Sequence, residues 1–204
     1  MMMAMEPNTV DNNQGQEPFA TFRKLDLRIG TVVSVEDHPD AEKLYILKVD
    51  LGEEEPRVVV TNIKSFYTPE MMLGRKLLII ANLKPANFRG VKSFGMLMAA
   101  EDMDMGGDSL HLLDPSSDVP NGTVMNSGLE NTSSRIDMKH LEKICIKVAE
   151  VIDGKFLGMD IVLPDDAPAR VAAVIDGDDI VVLGDGKGCV MTVSGEIMDG
   201  APAL

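Results

Sequence analysis

The residues best suited to binding chemistry are concentrated in one segment, Asn82 to Ala100, NLKPANFRGVKSFGMLMAA. It reads as a strand end, a loop held by Pro85 and Gly90, and a new strand beginning at Gly95. Three cations, Lys84, Arg89 and Lys92, project from the loop, with Asn82 and Ser93 as neutral hydrogen-bonding companions. That mixture suits phosphate, since Lys supplies a point charge, Arg a bidentate fork, and Ser or Asn a donor that fixes register. The same composition also describes a solvated surface loop, so the loop alone leaves both readings open.

Elsewhere the chain offers little for catalysis. His38, His111 and His140 are far apart in sequence, and each fits a surface or turn position. Asp176-Gly177-Asp178-Asp179 opens like a calcium loop, but Ile180 and Val181 stand where a ligand and a glycine are needed. The glycine-rich Gly184 to Gly188 is followed by the β-prone Cys189 to Val193 and not by a helix, so neither a dinucleotide fingerprint nor a P-loop is supported. Cys145 and Cys189 lie 44 residues apart without a second Cys or His at ligand spacing. Both are expected to be buried, in a reducing cytoplasm. No catalytic residues, metal or cofactor are therefore expected.

The elements that must position the basic loop are short strands. Leu27, Ile29, Val33 and Val35 alternate through Asp26 to Glu36, with a break at Gly30-Thr31-Val32 that suits a bulge or bend. After the turn His38-Pro39-Asp40-Ala41, strands are expected over Leu44 to Leu51 and Arg57 to Thr61. Thr68-Pro69-Glu70 makes a helix start with Thr as N-cap and Pro at N1, and Gly74 ends a single short helix. Arg75 to Ala81 and Gly95 to Glu101 complete five strands with one helix between the third and fourth. This is the order of an OB barrel.

The expected organisation is a disordered leader over 1–18, an OB-fold domain over 19–127, a polar linker over 128–134 and a small, acidic, β-rich module over 135–204. In that module Leu141 to Val151 echoes Phe22 to Val32 at an offset of 119, either as a degenerate second unit or as a generic amphipathic strand. A hairpin is expected from Arg170 to Val174 and Ile180 to Leu183, with a further strand over Cys189 to Val193. The leader lacks the basic and apolar regions of a secretory signal. The apolar runs are far shorter than the roughly 20 residues of a membrane span.

The net charge of −14 opposes a nucleic-acid partner at long range. It is unevenly spread, however: −3 over 1–18, −4 over 19–127 and −7 over 128–204. No acidic residue lies between Glu70 and Glu101, whereas Arg75, Lys76, Lys84, Arg89 and Lys92 give that stretch five positive charges. With a Debye length of about 8 Å, a local patch outweighs distant carboxylates once a partner is docked.

The order LDLRIGTVVSVEDHPDAEKLYILKVDLGEEEPRVVVTNI, YTPE, LGRK, ANLKPANFRGVKSFGM and VPNGT resembles a known family. This is the tRNA-binding domain found at the C-terminus of methionyl-tRNA synthetases, in free-standing tRNA-binding proteins and in the endothelial monocyte-activating polypeptide group. The resemblance covers roughly Phe19 to Met125. It implies an OB fold that grips the outer corner of tRNA by shape, with little base readout. By position it implies tRNA contacts from Asn82, Lys84, Arg89, Lys92, Ser93 and Met96, with Lys43 and Arg28 as further candidates. Met96 is either a contact or a soft core filler, and Lys43 either a contact or a turn closure. Two departures stand out. Thr61-Asn62 replaces the family's usual Ser-Gly, and Asn87-Phe88 replaces a second Lys with a small residue or Met, leaving Phe88 to stack on a base or to anchor the loop.

The resemblance implies tRNA as partner, and methionyl-tRNA synthetase or another synthetase beside it. The His-Ile-Gly-His and Lys-Met-Ser-Lys-Ser signatures of aminoacylation are absent from the chain. An alternative is a chaperone-like or structural assembly protein on the same barrel, although Ser93-Phe94-Gly95-Met96 favours the tRNA binder. Free-standing relatives dimerise through strands after the barrel, whereas the cytokine-like group carries a module that imitates the interface. The size and β content of 128–204 fit the latter, so a pseudo-dimeric monomer is expected over a homodimer. Sedimentation is expected to give a single 22.1 kDa species; a species near twice that mass would exclude the monomer.

Overall fold

The structure is a computed structural model that describes residues 17–102, 109–132 and 134–204. The leader expected over 1–18 lies outside the described residues as far as residue 16. A 3-10 turn, Phe22–Lys24, precedes the barrel strands β1 (Leu27–Asp37), β2 (Tyr45–Asp50) and β3 (Arg57–Thr61). Helix α1 (Pro69–Met72) follows, then β4 (Lys76–Ile80), a two-stranded ribbon of β5 (Ala86–Phe88) and β6 (Val91–Ser93), and β7 (Met96–Leu97). The sheet runs β3-β2-β1-β4-β7. The segment just before β7 meets β3 where the Phe94 N–H donates to the Val58 carbonyl at 2.9 Å, which nearly closes the ring. This is the OB barrel, with α1 capped by the Thr68 side chain as the sequence predicts.

Residue parity in β4 shows what the barrel is built to do. Leu77 and Ile79 point into the barrel with Leu47, Val49 and Val59. Leu78 and Ile80 point outward, yet they are equally buried, in a second core with Leu27, Ile29 and residues of the C-terminal module. A strand covered on both faces reads as a continuous apolar run, which KLLII is.

The break in β1 falls later than the sequence implies. Gly30 keeps its register opposite Leu77, and the bulge lies between Val32 and Ser34. Val33, expected on the apolar face, is the extra residue and is 45% exposed. Gly30 answers a different need: a Cβ there would lie 2.6 Å from the side chains of both Val49 and Leu51 and 2.9 Å from the Asp50 carbonyl.

The strand expected over Gly95 to Glu101 is two short strands. Met98, between β7 and β8 (Ala99–Asp102), donates its N–H to Leu78 and accepts from Leu113, so the chain changes partner there. β8 pairs with β9 (Ser109–Pro115), a strand that the sequence reading passed over. After the barrel come α2 (Met138–Leu141), β10 (Cys145–Ile152), β11 (Lys155–Phe156), β12 (Met159–Asp160), β13 (Arg170–Asp176), β14 (Asp179–Val182), β15 (Met191–Val193) and β16 (Ala201–Pro202). β12-β11-β10-β13-β14 form the second sheet, and β16 pairs with β10. β15 instead crosses over to pair with β9 of the barrel.

The echo at offset 119 has a structural counterpart. Phe22, Leu25, Leu27 and Ile29 and their counterparts Leu141, Ile144, Ile146 and Val148 all enter the same outer core. In each case one helical turn leads into a strand that faces that core. Cys145, expected to be buried, is exposed because it shares its face of β10 with Lys147, whereas Ile146 and Val148 face inward; Cys189 is buried. Among the described residues no helix is long and apolar enough to cross a membrane.

Gly30→Ala is expected to cost about 1–3 kcal/mol through overpacking, seen as a lower urea midpoint at unchanged slope. A midpoint equal to that of the wild type would show that Val49 and Leu51 yield freely.

Candidate nucleic-acid interface

The segment read as an irregular loop is a β-ribbon. Ala86 pairs with Ser93, Asn87 with Lys92 and Phe88 with Val91. The tip is Arg89-Gly90, both at positive φ (48° and 92°), which is the tight hairpin turn whose twist matches its strands. The Asn87 side chain accepts the Gly90 N–H at 2.8 Å and steadies it. A left-handed conformation costs a side-chain-bearing residue about 1–2 kcal/mol. Asn or Gly would reduce that cost at Arg89, but neither could make the bond that the guanidinium gives to the Asp40 carbonyl.

Two hydrogen bonds fasten the tip to the His-Pro-Asp turn. His38 is 4% exposed, and its Nδ1 accepts the Asp40 N–H at 3.0 Å. That leaves Nε2 as the protonated nitrogen, and it donates to the Phe88 carbonyl at 2.7 Å. Arg89 Nη1 returns a bond to the Asp40 carbonyl at 2.9 Å. The turn that carries exposed Lys43 is thereby held beside the ribbon that carries Arg89 and Lys92. Among the described residues neither Lys43 nor Lys92 has an ion-pair partner.

The ribbon root is fixed by Asn82. Its side-chain oxygen accepts the Asp26 N–H at 2.9 Å. Its amide donates to the Lys24 carbonyl at 2.7 Å and to the Ser134 carbonyl. Next to it, Leu83 bridges in parallel to Ile136, and the Lys84 N–H donates to the Ile136 carbonyl at 2.9 Å. The Lys84 side chain is exposed beside Asp137. The hydrogen bond from His140 holds the Asp137 carboxyl below its usual range, and Lys84 adds a smaller pull the same way.

The candidate residues therefore divide. Lys84, Arg89, Lys92 and Lys43 are exposed cations on or beside the ribbon. Asn82 is engaged by backbone on both sides of its amide. Ser93, 4% exposed, is inside the barrel seam and not on the surface: its hydroxyl accepts the Val60 N–H at 2.9 Å and donates to the Gly95 carbonyl at 2.9 Å. Alternation explains the contrast, since paired Asn87 and Lys92 face one side of the ribbon and paired Ala86 and Ser93 the other. Met96 is half-buried and packs against the outer core. Arg28 lies apart from the ribbon, bonded to the Asp26 carboxylate at 2.9 Å, which raises its pKa.

The five-cation stretch is also redistributed. Arg75 pairs with Asp114 at 2.8 Å and lies over the Tyr67 ring at 5.1 Å. Lys76 pairs with Asp118 at 2.7 Å. Both are compensated by carboxylates from beyond the acid-free segment, so three of the five remain for the ribbon. Sequence reasoning missed His38 as a tether; its signal was a His and an Asp flanking a turn proline.

A nearly closed five-stranded barrel that displays a tethered ribbon of exposed cations has the form of the β-barrel nucleic-acid-binding modules. Residues 27–124, just under half of the chain, match the family model described as "Putative tRNA binding domain", and that segment belongs to this family. A methionine–tRNA ligase of Pyrococcus horikoshii is 49% identical over 104 residues, 51% of this chain but 14% of the ligase. A cytoplasmic tyrosine–tRNA ligase of Xenopus tropicalis is 36% identical over 124 residues, 61% of this chain and 24% of the ligase. The chain thus spans only a small part of the curated relatives that it matches. Beyond the barrel, the C-terminal domain of Plasmodium vivax p43 shares the fold over 85% of this chain and 98% of its own, with a TM-score of 0.56 and 22% identity.

Ser93→Ala is expected to lower unfolding free energy by about 1–3 kcal/mol, because the Val60 N–H is left buried without an acceptor. Chemical denaturation measures this, and an unchanged midpoint would show that the seam closes without the hydroxyl.

Proposed function

We propose that the chain is a noncatalytic, shape-reading tRNA-binding factor of the cytoplasm, acting alone or as an accessory subunit beside methionyl-tRNA synthetase. The observation that carries this reading is the double tether of the Arg89 tip to the His38–Asp40 turn. It holds Lys43, Arg89 and Lys92 on rigid backbone, so little order is lost when phosphates are met. Lys84 adds a fourth cation at the root. In this reading Asn82 and Ser93 are positioning residues that aim the ribbon, Met96 packs beneath it, and Arg28 contributes to the barrel surface and not to the main contact.

The contact is small and the rest of the molecule is acidic, so binding is weak and salt-sensitive. Three neutralised phosphates give a slope of about −2.7 in log affinity against log salt, roughly a forty-fold loss between 50 and 200 mM. A weak, sequence-tolerant module gains its effect by raising local tRNA concentration around an enzyme held beside it. The second module fits a monomer, since it covers the outer face of β1 and β4 from within the same chain.

A tRNA mobility-shift assay at 50 and 200 mM salt, with wild type and Lys84→Ala/Arg89→Ala, tests the reading. The double variant is expected to bind more weakly at low salt, with a slope reduced by about 1.8. A wild type without affinity at 50 mM, or a double variant with unchanged affinity and slope, would remove the proposed function.

A further inference from the structure

Beside the ribbon lies a cavity of about 550 Å³, within the size range of pockets that hold small organic groups. It is formed jointly by the barrel edge, the ribbon and the second module, the last contributing Met138 and the segment Pro202 to Leu204. Its lining is mainly apolar, but the polar groups are placed with a pattern. Phe88, 38% exposed, offers an aromatic face from the ribbon. Met96 and Met138 supply thioethers, which make favourable contacts with aromatic rings. Asn62 is exposed, and among the described residues its side-chain amide makes no hydrogen bond, so both a donor and an acceptor are free. Lys84 stands in the lining as well as at the root of the ribbon, and Glu101 lines the cavity with it, one charge of each sign.

We propose that this cavity receives one unstacked nucleobase of the bound RNA. The inference rests on the reading of the chain as an RNA binder and alters it, since contact then includes a base as well as backbone shape. An aromatic face, two soft side chains and one amide with both hydrogen-bonding senses free are what a flat heteroaromatic ring with a polar edge requires. The polar groups decide for a nucleotide over an apolar peptide, since Asn62, Lys84 and Glu101 suit the donor and acceptor edge of a base and would be left unpaired by an apolar chain. Lys84 lines the pocket and Arg89 stands at the tip of the ribbon, whereas Lys92 is on the ribbon's opposite side, so a base entering here carries its own phosphate toward Lys84 and the Arg89 tip. Phe88 links the two parts directly: its ring lines the cavity while its carbonyl accepts the His38 bond that fixes the tip.

The test compares wild type with Phe88→Ala/Met138→Ala, both side chains being exposed, against unfractionated tRNA and against a blunt, fully paired RNA duplex. For the variant, tRNA affinity is expected to fall roughly five- to hundred-fold, with the salt slope and the duplex affinity unchanged. In wild-type protein labelled at the methionine methyls, the Met96 and Met138 signals are expected to move upfield with tRNA and not with duplex, as ring currents from an inserted base require. A wild type that binds tRNA with its full salt slope while the variant binds equally well, and the two methyls stay in place, overturns the nucleobase and leaves the tRNA reading intact. A wild type that binds no tRNA overturns both. Displacement of the two methyl signals by an apolar peptide, with tRNA affinity equal in wild type and variant, assigns the cavity to peptide and also overturns the proposal.

Discussion

The amide of Asn82 is the constraint on which the functional end of this molecule depends. Both of its N–H groups and its oxygen are engaged by backbone, to Lys24, Ser134 and Asp26, segments that lie before the barrel, after it and at its first strand. One uncharged side chain therefore fixes where β4 ends, where the chain enters β1 and where the second module begins. A buried or half-buried amide with all such groups satisfied stabilises modestly, but each group left alone costs more than the bond contributed. The arrangement thus tolerates few alternatives. Because the ribbon starts four residues later, its direction is inherited from this knot at one end and from His38 at the other.

Charge is sorted by the same geometry. The chain carries 19 basic residues against 33 acidic ones, and many of the basic ones are given over to carboxylates: Arg28 to Asp26, Arg57 to Glu53, Lys64 to Asp37, Arg75 to Asp114 and Lys76 to Asp118. Such pairs contribute little to stability one by one, but they silence cations away from the ribbon. Among the described residues the ribbon's cations are left without ion pairs, as are others elsewhere, such as Lys48 and Lys187.

Much of the barrel was legible because strands obey a period of two. β3 and the Thr68 cap fall where pattern and capping chemistry put them. Side-chain roles were harder. Lys92 and Ser93 are neighbours of similar polarity, yet one faces solvent and the other the barrel seam. Only the ribbon register, which depends on a tether from His38 some 50 residues away, decides between them. Val33 and Cys145 were misjudged for related reasons, since a bulge at one and strand parity at the other reverse the expected face. β9 escaped notice because SLHLLDP owes its strand to partners on both sides, one of them β15 near the far end of the chain. Asn62 and Phe88 meet at the cavity, which no spacing in the sequence brings together.

The second module explains why the barrel can have apolar residues on its outside. Leu27, Ile29, Leu78 and Ile80 form a face that in a lone domain would be a contiguous exposed patch, the kind that marks an association site. Here the face is covered by Ile146, Val148, Ala172 and Val174 from β10 and β13, while β15 adds itself to the β8–β9 pair. The recurrence of a helical turn plus strand on either side of that core makes the cover resemble a second, eroded copy of the barrel's own entrance. Docking within one chain has a consequence that pairing of two chains lacks. The linker between the halves is free to differ from any part of the barrel, and in this molecule its last residue Ser134 and, just beyond it, Ile136 grip Asn82 and Lys84. The cover and the aim of the ribbon are thereby the same set of contacts, so loosening the module from the barrel would also release the interface.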